Sequence, residues 1–262
     1  MKTSLLISTY NRPEALSLVL ESVLTQTIFP YEVIVADDGS SNDTAELIKM
    51  HQAESKPLKI VHSWQEDEGF RLAESRNKAI AKASGDYIIF IDGDVIIDKN
   101  FIKDHISFAR PGNFVSGTRV LLGEEITNKL ISGDKVNIGL LSNDIKNRKN
   151  IIRSKFLQKI MRSNNTKLKG IKGCNMAFYR DDCIKVNGFN NDFQGWGRED
   201  SEFVVRLFNS GVKRMNLRFG GIQFHLWHNE SSQFSIERNN EILSKAINEK
   251  TIFCKNGLKN FL

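Results

Sequence analysis

Three times before residue 95 a short apolar run gives way to a stretch with helical spacing, and a fourth apolar run closes the series; that order leaves few folds open. Residues 4–8 (SLLIS) and 31–36 (YEVIVA) read as buried strands bounded by polar or turn residues. Between them, Pro13 to Thr27 carries apolar residues at helical intervals, with Asn11 placed to cap it and Pro13 in its first turn. The alternation continues with a helix over 42–53 capped by Asn42 or Asp43, a strand over 58–62, a helix over 71–83 stopped at Ser84-Gly85, and a strand over 86–91. Strand–helix–strand units join parallel strands, so the spacing predicts an α/β chain with an open, mostly parallel sheet flanked by helices.

Beyond Phe114 the texture changes. Residues 114–121 look strand-like, and 123–170 are polar and basic with weak periodicity, which suits helices and loops. A second ordered block follows: a strand near Met176–Tyr179, a loop around Gly195, a helix over 199–210 and a strand near Gly221–His225. A charged helix is expected over 235–254. The length of 262 residues fits one α/β domain, or one with an appended lobe.

Composition removes several classes. Hydrophobic residues make up 40% of the chain, enough for a sizeable core, yet no apolar run approaches the ~18 residues of a membrane span. The apolar part of the N-terminus is too short for a signal peptide, and the expectation is a cytoplasmic protein. Cys174, Cys183 and Cys254 are odd in number, widely spaced and without a CxxC pair, so they read as small core residues. The net charge of +6 admits nucleic acid, an anionic membrane surface or an acidic substrate as partner. The excess concentrates in Lys146 to Lys172, which holds no acidic residue, and no nucleic-acid module surrounds it.

Ligands of open α/β sheets bind beyond the carboxyl ends of the strands. Four polar clusters fall there: Ser8-Thr9-Tyr10-Asn11-Arg12, Asp37-Asp38-Gly39-Ser40, Glu68-Gly69-Phe70-Arg71 and Asp92-Gly93-Asp94. Singly, each passes for a turn or a helix cap. Converging on one sheet edge, they indicate a site. Two carboxylates one residue apart suit a hard divalent cation that also takes substrate phosphates. The chain lacks GxxxxGK[ST], which disfavours a kinase or ATPase, and lacks GxGxxG after its first strand, which disfavours a dinucleotide oxidoreductase.

The run from SLLISTYNRPEA through YEVIVADDGSSNDT to GFRLAESRNKAIAKASGDYIIFIDGD resembles the nucleotide-binding half of family-2 glycosyltransferases with the GT-A fold. The later GCNMAFYRDDCIKVNGFNNDFQGWGREDSEFVVRLFNSG resembles their acceptor-side half, especially in the chondroitin-polymerase, polypeptide N-acetylgalactosaminyltransferase and β-1,4-galactosyltransferase groups. The similarity covers about residues 3–110 and 170–230 and leaves 120–168 unmatched. It implies one GT-A domain over 1–262: a nucleotide-sugar-binding half (1–112), a variable basic segment (113–170), an acceptor-binding and catalytic half (171–234) and a C-terminal helix (235–262).

The resemblance also implies roles. Ser8, Thr9, Asn11 and Arg12 lie near the nucleotide, Asp38 contacts the uracil, and Arg71 reaches the base or the phosphates. Asp92, with Gly93, holds the ribose or sugar side, and Asp94 ligates Mn²⁺ or Mg²⁺. In Gly195-Trp196-Gly197-Arg198-Glu199-Asp200, the tryptophan loop, with Gly197, packs on the acceptor sugar. Glu199 contacts that sugar and Asp200 takes the acceptor proton. The family often has Gly-Gly where this chain has Gly197-Arg198. A histidine after the later strand completes the metal site; His228 matches best and His225 second. The implied reaction is inverting transfer from a UDP-sugar donor to a saccharide or glycolipid acceptor, in bacterial lipopolysaccharide or capsule assembly, with the basic segment available for an anionic membrane. The competing readings are a nucleotidyltransferase sharing the sheet, or an inactive carbohydrate-binding relative. The first would carry a glycine-rich basic loop where this chain has STYNRPE; the second would have lost Asp94, Asp200 or His228.

Overall fold

A computed structural model describes residues 1–229 and 234–262. The first half is the repeated unit the spacing predicts: β1 (Thr3–Thr9), α1 (Pro13–Leu24), β2 (Glu32–Asp37), α2 (Asn42–Glu54), β3 (Lys59–Trp64), α3 (Leu72–Lys82) and β4 (Tyr87–Asp92). There follow β5 (Val95–Ile97), α4 (Phe101–Phe108), β6 (Asn113–Ser116), β7 (Val120–Leu122), α5 (Glu124–Ile131), β8 (Ile145–Lys146), α6 (Lys155–Ile160) and β9 (Asn164–Asn165). The last elements are β10 (Met176–Tyr179), α7 (Arg180–Lys185), α8 (Glu199–Asn209), β11 (Lys213–Asn216), β12 (Gln223–His225) and α9 (Ile236–Asn248).

Eight strands form the main sheet in the order β3-β2-β1-β4-β10-β6-β11-β9. β1, β2, β3 and β4 are mutually parallel, whereas β10 runs antiparallel to both β4 and β6. β1 and β2 are buried at every position, as a strand covered by helices on both faces must be. One apolar layer gathers α1 and α4 on one face, and the other gathers α3 and α8 on the opposite face. Cys174, Cys183 and Cys254 are free and buried, the first two within these layers, as expected of core residues.

The strand-like stretch 114–121 is in fact two strands. β6 belongs to the main sheet, while β7 joins a smaller sheet of order β5-β12-β7-β8. Gly117, between them, allows the chain to leave one sheet for the other: a Cβ there would lie 2.3 Å from the Asn175 side chain. The segment 123–170 holds α5, α6 and two-residue strands that pair at the margins of the two sheets. The capping assignments shift by one residue. Arg12 precedes α1 and Ser41 precedes α2, and neither makes a side-chain capping bond. Among the described residues, no helix is long and apolar enough to cross a membrane.

Candidate active site

Register brings the polar clusters together. Ser8 of β1 lies opposite Asp92 of β4, and Thr9 lies opposite Asp37 of β2, so three loops leave the sheet side by side. They open into a cleft of about 1510 Å³ that also receives the loop before α8 and the end of β12. Asn11 does not cap α1. Its left-handed backbone (φ 46°) lets its N–H donate to Ser40 Oγ at 2.9 Å while its Oδ1 accepts from the Ser41 N–H at 2.7 Å. Asn11 therefore fastens the first loop to the second. Gly93 donates to the Ser8 carbonyl at 2.6 Å, and a Cβ at that position would meet Ser8 O at 2.9 Å, which explains a glycine between the two aspartates.

At the wall after β2, Asp38 is buried and accepts from Gln65 Nε2 (2.5 Å) and from the Arg71 N–H (2.8 Å). Burial dominates these bonds and pushes its carboxyl up to about 6. Arg71 itself departs from the expectation. Its guanidinium is engaged by Glu68 (2.7 Å), Glu74 (3.3 Å) and the Glu66 carbonyl (2.6 Å), and it is not among the residues lining the cleft.

The cation at the centre of the cleft is Arg76 of α3, which sequence reasoning missed. It is 2% exposed, with its guanidinium 3.1 Å from Glu199, 3.2 Å from Asp92 and 3.2 Å from Ser8 Oγ. The Phe90 and Phe189 rings lie 5.7 and 5.3 Å from it. A signal existed: Arg76 falls at i+3 from Ala73 and i−4 from Ile80, on the apolar face of its helix, where a cation needs partners. One guanidinium serves several acids. The Arg76 pKa rises despite desolvation because Asp92, Glu199 and Asp200 surround it. The acids still go up on balance: burial, and then Asp200, push Glu199 up to about 7, and burial raises Asp92. Asp200, in the first turn of α8, accepts from the Gly173 N–H at 3.0 Å and from Ser201 Oγ at 3.1 Å.

Asp94, His225 and His228 form a candidate metal centre. One ligand atom from each lies within 4.8 Å of the others. β12 pairs antiparallel with β5, setting His225 opposite Val95, and the Leu226 N–H donates to the Asp94 carbonyl. The His228 Nδ1 lies 2.7 Å from the Asn229 carbonyl, which fixes the proton there and turns Nε2 toward Asp94 Oδ2 at 3.2 Å. Two acceptors that close repel unless a proton or a metal cation lies between them. Among the described residues, Asp94 Oδ1 is buried without a hydrogen-bond partner, and His225 Nε2 is 3.7 Å from it. Burial also holds His225 below its ordinary value, in the neutral form that ligates. An orphaned carboxylate oxygen beside two imidazoles fits Mn²⁺ or a similar divalent ion. Arg12 donates to the other oxygen of Asp94 at 2.9 Å and to the Trp227 carbonyl at 3.3 Å.

The remaining wall is the loop before α8. Trp196 is exposed at the cleft, and Gly197 and Arg198 follow it with positive φ. Gly195 (φ 70°) donates to the Phe70 carbonyl at 3.0 Å, and a Cβ there would come within 2.5 Å of Ser235 Oγ. Asn239 of α9 donates to the Gln194 and Trp196 carbonyls, so the C-terminal helix holds the tryptophan loop. The other three histidines, His51, His62 and His105, are paired with Ser17, Asp37 and Asn175.

The model for "Glycosyl transferase family 2" matches residues 4–186, and that for "N-terminal domain of galactosyltransferase" matches residues 157–229. Chondroitin synthase of Escherichia coli is 27% identical over 248 residues, which is 85% of this chain and 34% of the synthase; the chain thus spans about a third of that relative's length. S. aureus TarS 1-349 in complex with UDP-GlcNAc superposes with a TM-score of 0.64 at 18% identity, covering 100% of this chain and 69% of that one. The mannosyltransferase PcManGT from Pyrobaculum calidifontis, in complex with GDP-Man and Mn²⁺, gives a TM-score of 0.60 at 18% identity, covering 87% and 58%. The architecture is the GT-A fold, as the sequence resemblance implies. With well over half of its residues inside one family model, the chain belongs to glycosyl transferase family 2.

Proposed function

We propose that this protein transfers a sugar from a UDP-sugar to a hydroxyl of a saccharide acceptor, with inversion at the anomeric carbon and with a divalent cation, Mn²⁺ or Mg²⁺. The observation that carries the reading is that Asp94, His225 and His228 lie within 4.8 Å of one another in the cleft that also holds Asp38 and Asp200. Residues 1–112 would supply the donor side and 171–234 the acceptor side. Asp38 accepts the imide N–H of uracil. Asp94, His225 and His228 hold the cation, which when bound offsets the diphosphate charge that grows as the sugar departs.

On the acceptor side, Trp196 offers a ring face to the sugar, and Glu199 a carboxyl. Asp200, held by the Gly173 N–H, takes the proton of the attacking hydroxyl. The new bond joins the acceptor oxygen to the anomeric carbon, and the bond from that carbon to the diphosphate breaks, releasing UDP. Attack opposite the leaving group inverts the configuration. The TarS complex with UDP-GlcNAc and the PcManGT complex with Mn²⁺ support the donor and the metal, and the chondroitin synthase supports a role in polysaccharide assembly.

The test is a donor screen with UDP-, GDP- and CMP-sugars and Mn²⁺, read as thermal stabilisation and slow donor hydrolysis. A ligand at ~100 times its dissociation constant adds about 2.7 kcal/mol. UDP-sugars should stabilise the protein with Mn²⁺ and less without it. No shift with any UDP-sugar, or a transfer product that retains the donor's configuration, would overturn the reading.

A further inference from the structure

The donor site leaves the basic segment unused. Between Asp144 and Asp181 there is no acidic residue, and residues 146–172 hold ten lysines and arginines, every one exposed. In their midst, α6 carries Phe156 at 72% exposure and Ile160 at 60%, followed by Met161 at 42%. At 100° per residue, Phe156 and Ile160 share one face, opposite Gln158. Gln158 is buried and donates to the Phe219 carbonyl at 2.7 Å, so the helix is pinned by its polar residue and presents Phe156 and Ile160 outward, with Leu157 half-buried. The usual burial pattern of an amphipathic helix is reversed.

This face is held rigidly. Ser154 Oγ caps the helix by accepting from the Leu157 N–H, and the Ser154 N–H donates to the Phe219 carbonyl. Arg153 is bound by Asp98 and by Asp104, the latter at 2.6 Å, which ties the start of α6 to α4. Lys155 and Lys159 flank the apolar face, and Lys149 and Arg162 lie just before and after the helix. A phenyl and sec-butyl pair beside exposed cations matches a surface that is apolar beneath and negative on top. A nucleic-acid backbone would account for the cations and leave Phe156 and Ile160 unexplained.

We infer that the α6 face, centred on Phe156 and Ile160 with Lys155 and Lys159 beside them, docks the protein on an anionic lipid bilayer. The two side chains enter the headgroup boundary while the lysines meet lipid phosphates. This surface does not depend on the donor assignment, and the segment that bears it starts and ends at the cleft, which Lys146 and Lys172 line.

The experiment is co-sedimentation of the full chain with phosphatidylglycerol–phosphatidylcholine vesicles and with phosphatidylcholine vesicles, at low and high salt. The anionic vesicles should bind at least ~10-fold better, since each basic residue at the surface raises partitioning about fivefold, and salt should reverse it. The F156S/I160S variant should bind the anionic vesicles ~10-fold less, and K155E/K159E should lose the preference for anionic lipid. Both variants change exposed side chains, so their thermal midpoints and their donor binding should equal the wild type, which separates this surface from the catalytic reading. Equal binding to both vesicle types, wild-type binding by F156S/I160S, or absent vesicle binding alongside tight binding of a single-stranded RNA would each overturn the inference.

Discussion

Arg76 and Glu199, 123 residues apart in the chain, meet at 3.1 Å and join the helix after β3 to the helix of the acceptor-side loop. The same guanidinium reaches Asp92 on β4, so one buried cation holds three elements around the cleft. Removing it leaves two carboxylates without their shared partner. Arg76→Met should lower stability by about 3–5 kcal/mol, the cost of breaking a buried ion pair. At roughly 2–4 °C per kcal/mol, the thermal midpoint should fall by ~6–20 °C. A midpoint within ~2 °C of wild type would show that Arg76 is not a structural tie.

Asp38 gives a pH signature. Its carboxyl sits at about 6 because burial outweighs the bonds from Gln65 and the Arg71 backbone. The neighbouring charges act in opposite directions, Arg71 lowering and Asp67 raising it. The ionised carboxylate is the stronger acceptor for the uracil N–H in the proposed contact, so affinity should rise as pH increases through about 6. Uridine is the suitable probe, since it carries no phosphate that titrates in the same range. Ligand-observed NMR should show tightening between pH 5 and pH 7, and Asp38→Asn should flatten the profile. A wild-type profile that is already flat would remove Asp38 from base recognition.

The two ends of the cleft should separate in mutant kinetics. Asp200→Asn keeps the contacts around Asp94 and should leave UDP binding nearly intact while turnover falls by a factor of ~10² or more. Asp94→Asn and His228→Ala should instead weaken UDP binding in the presence of Mn²⁺ and leave metal-free UDP binding unchanged. Near-normal transfer by Asp200→Asn would dismiss it as the base.

Arg12 shares Asp94 with the candidate metal centre, donating to Oδ2 at 2.9 Å. The pair is partly exposed, so it is worth about 0.2–1 kcal/mol. Arg12→Met should therefore tighten Mn²⁺ binding in the absence of nucleotide by roughly 1.5- to 5-fold, measured as loss of the free Mn²⁺ signal in electron paramagnetic resonance. Weaker binding in the variant would mean that Arg12 supports the metal site rather than competing for it.

The parallel half of the sheet was legible because each strand is a continuous apolar run and each helix a 3.6-residue pattern, and both signals are local. The loop motifs at the strand ends followed from topology, which sends every parallel strand's carboxyl end to one edge. Arg76 was hidden because its role depends on Asp92 and Glu199, which lie 16 and 123 residues away. Arg71 misled because its guanidinium is satisfied within its own loop and helix by Glu66, Glu68 and Glu74. Asn11 looked like a helix cap, yet its positive φ turns its amide toward the Ser41 N–H. The split of 114–121 into two strands was unreadable because neither the four-residue β6 nor the three-residue β7 shows a period, and the switch turns on a contact between Gly117 and Asn175.

The placement of β10 between β4 and β6 dictates an order of assembly. β1 to β4 find their partners within the first 92 residues, so this half can form from short loop closures. β6 has no neighbour on the β4 side until residues 176–179 arrive and pair with both. The residues of the candidate metal centre wait longer still, since His225 reaches Asp94 only when β12 pairs with β5 across about 125 residues of intervening chain. During synthesis the parallel half of the sheet precedes the candidate metal centre, and if Asp94, His225 and His228 hold a cation as proposed, a nascent chain gains that affinity only once residues 223–228 have left the ribosome.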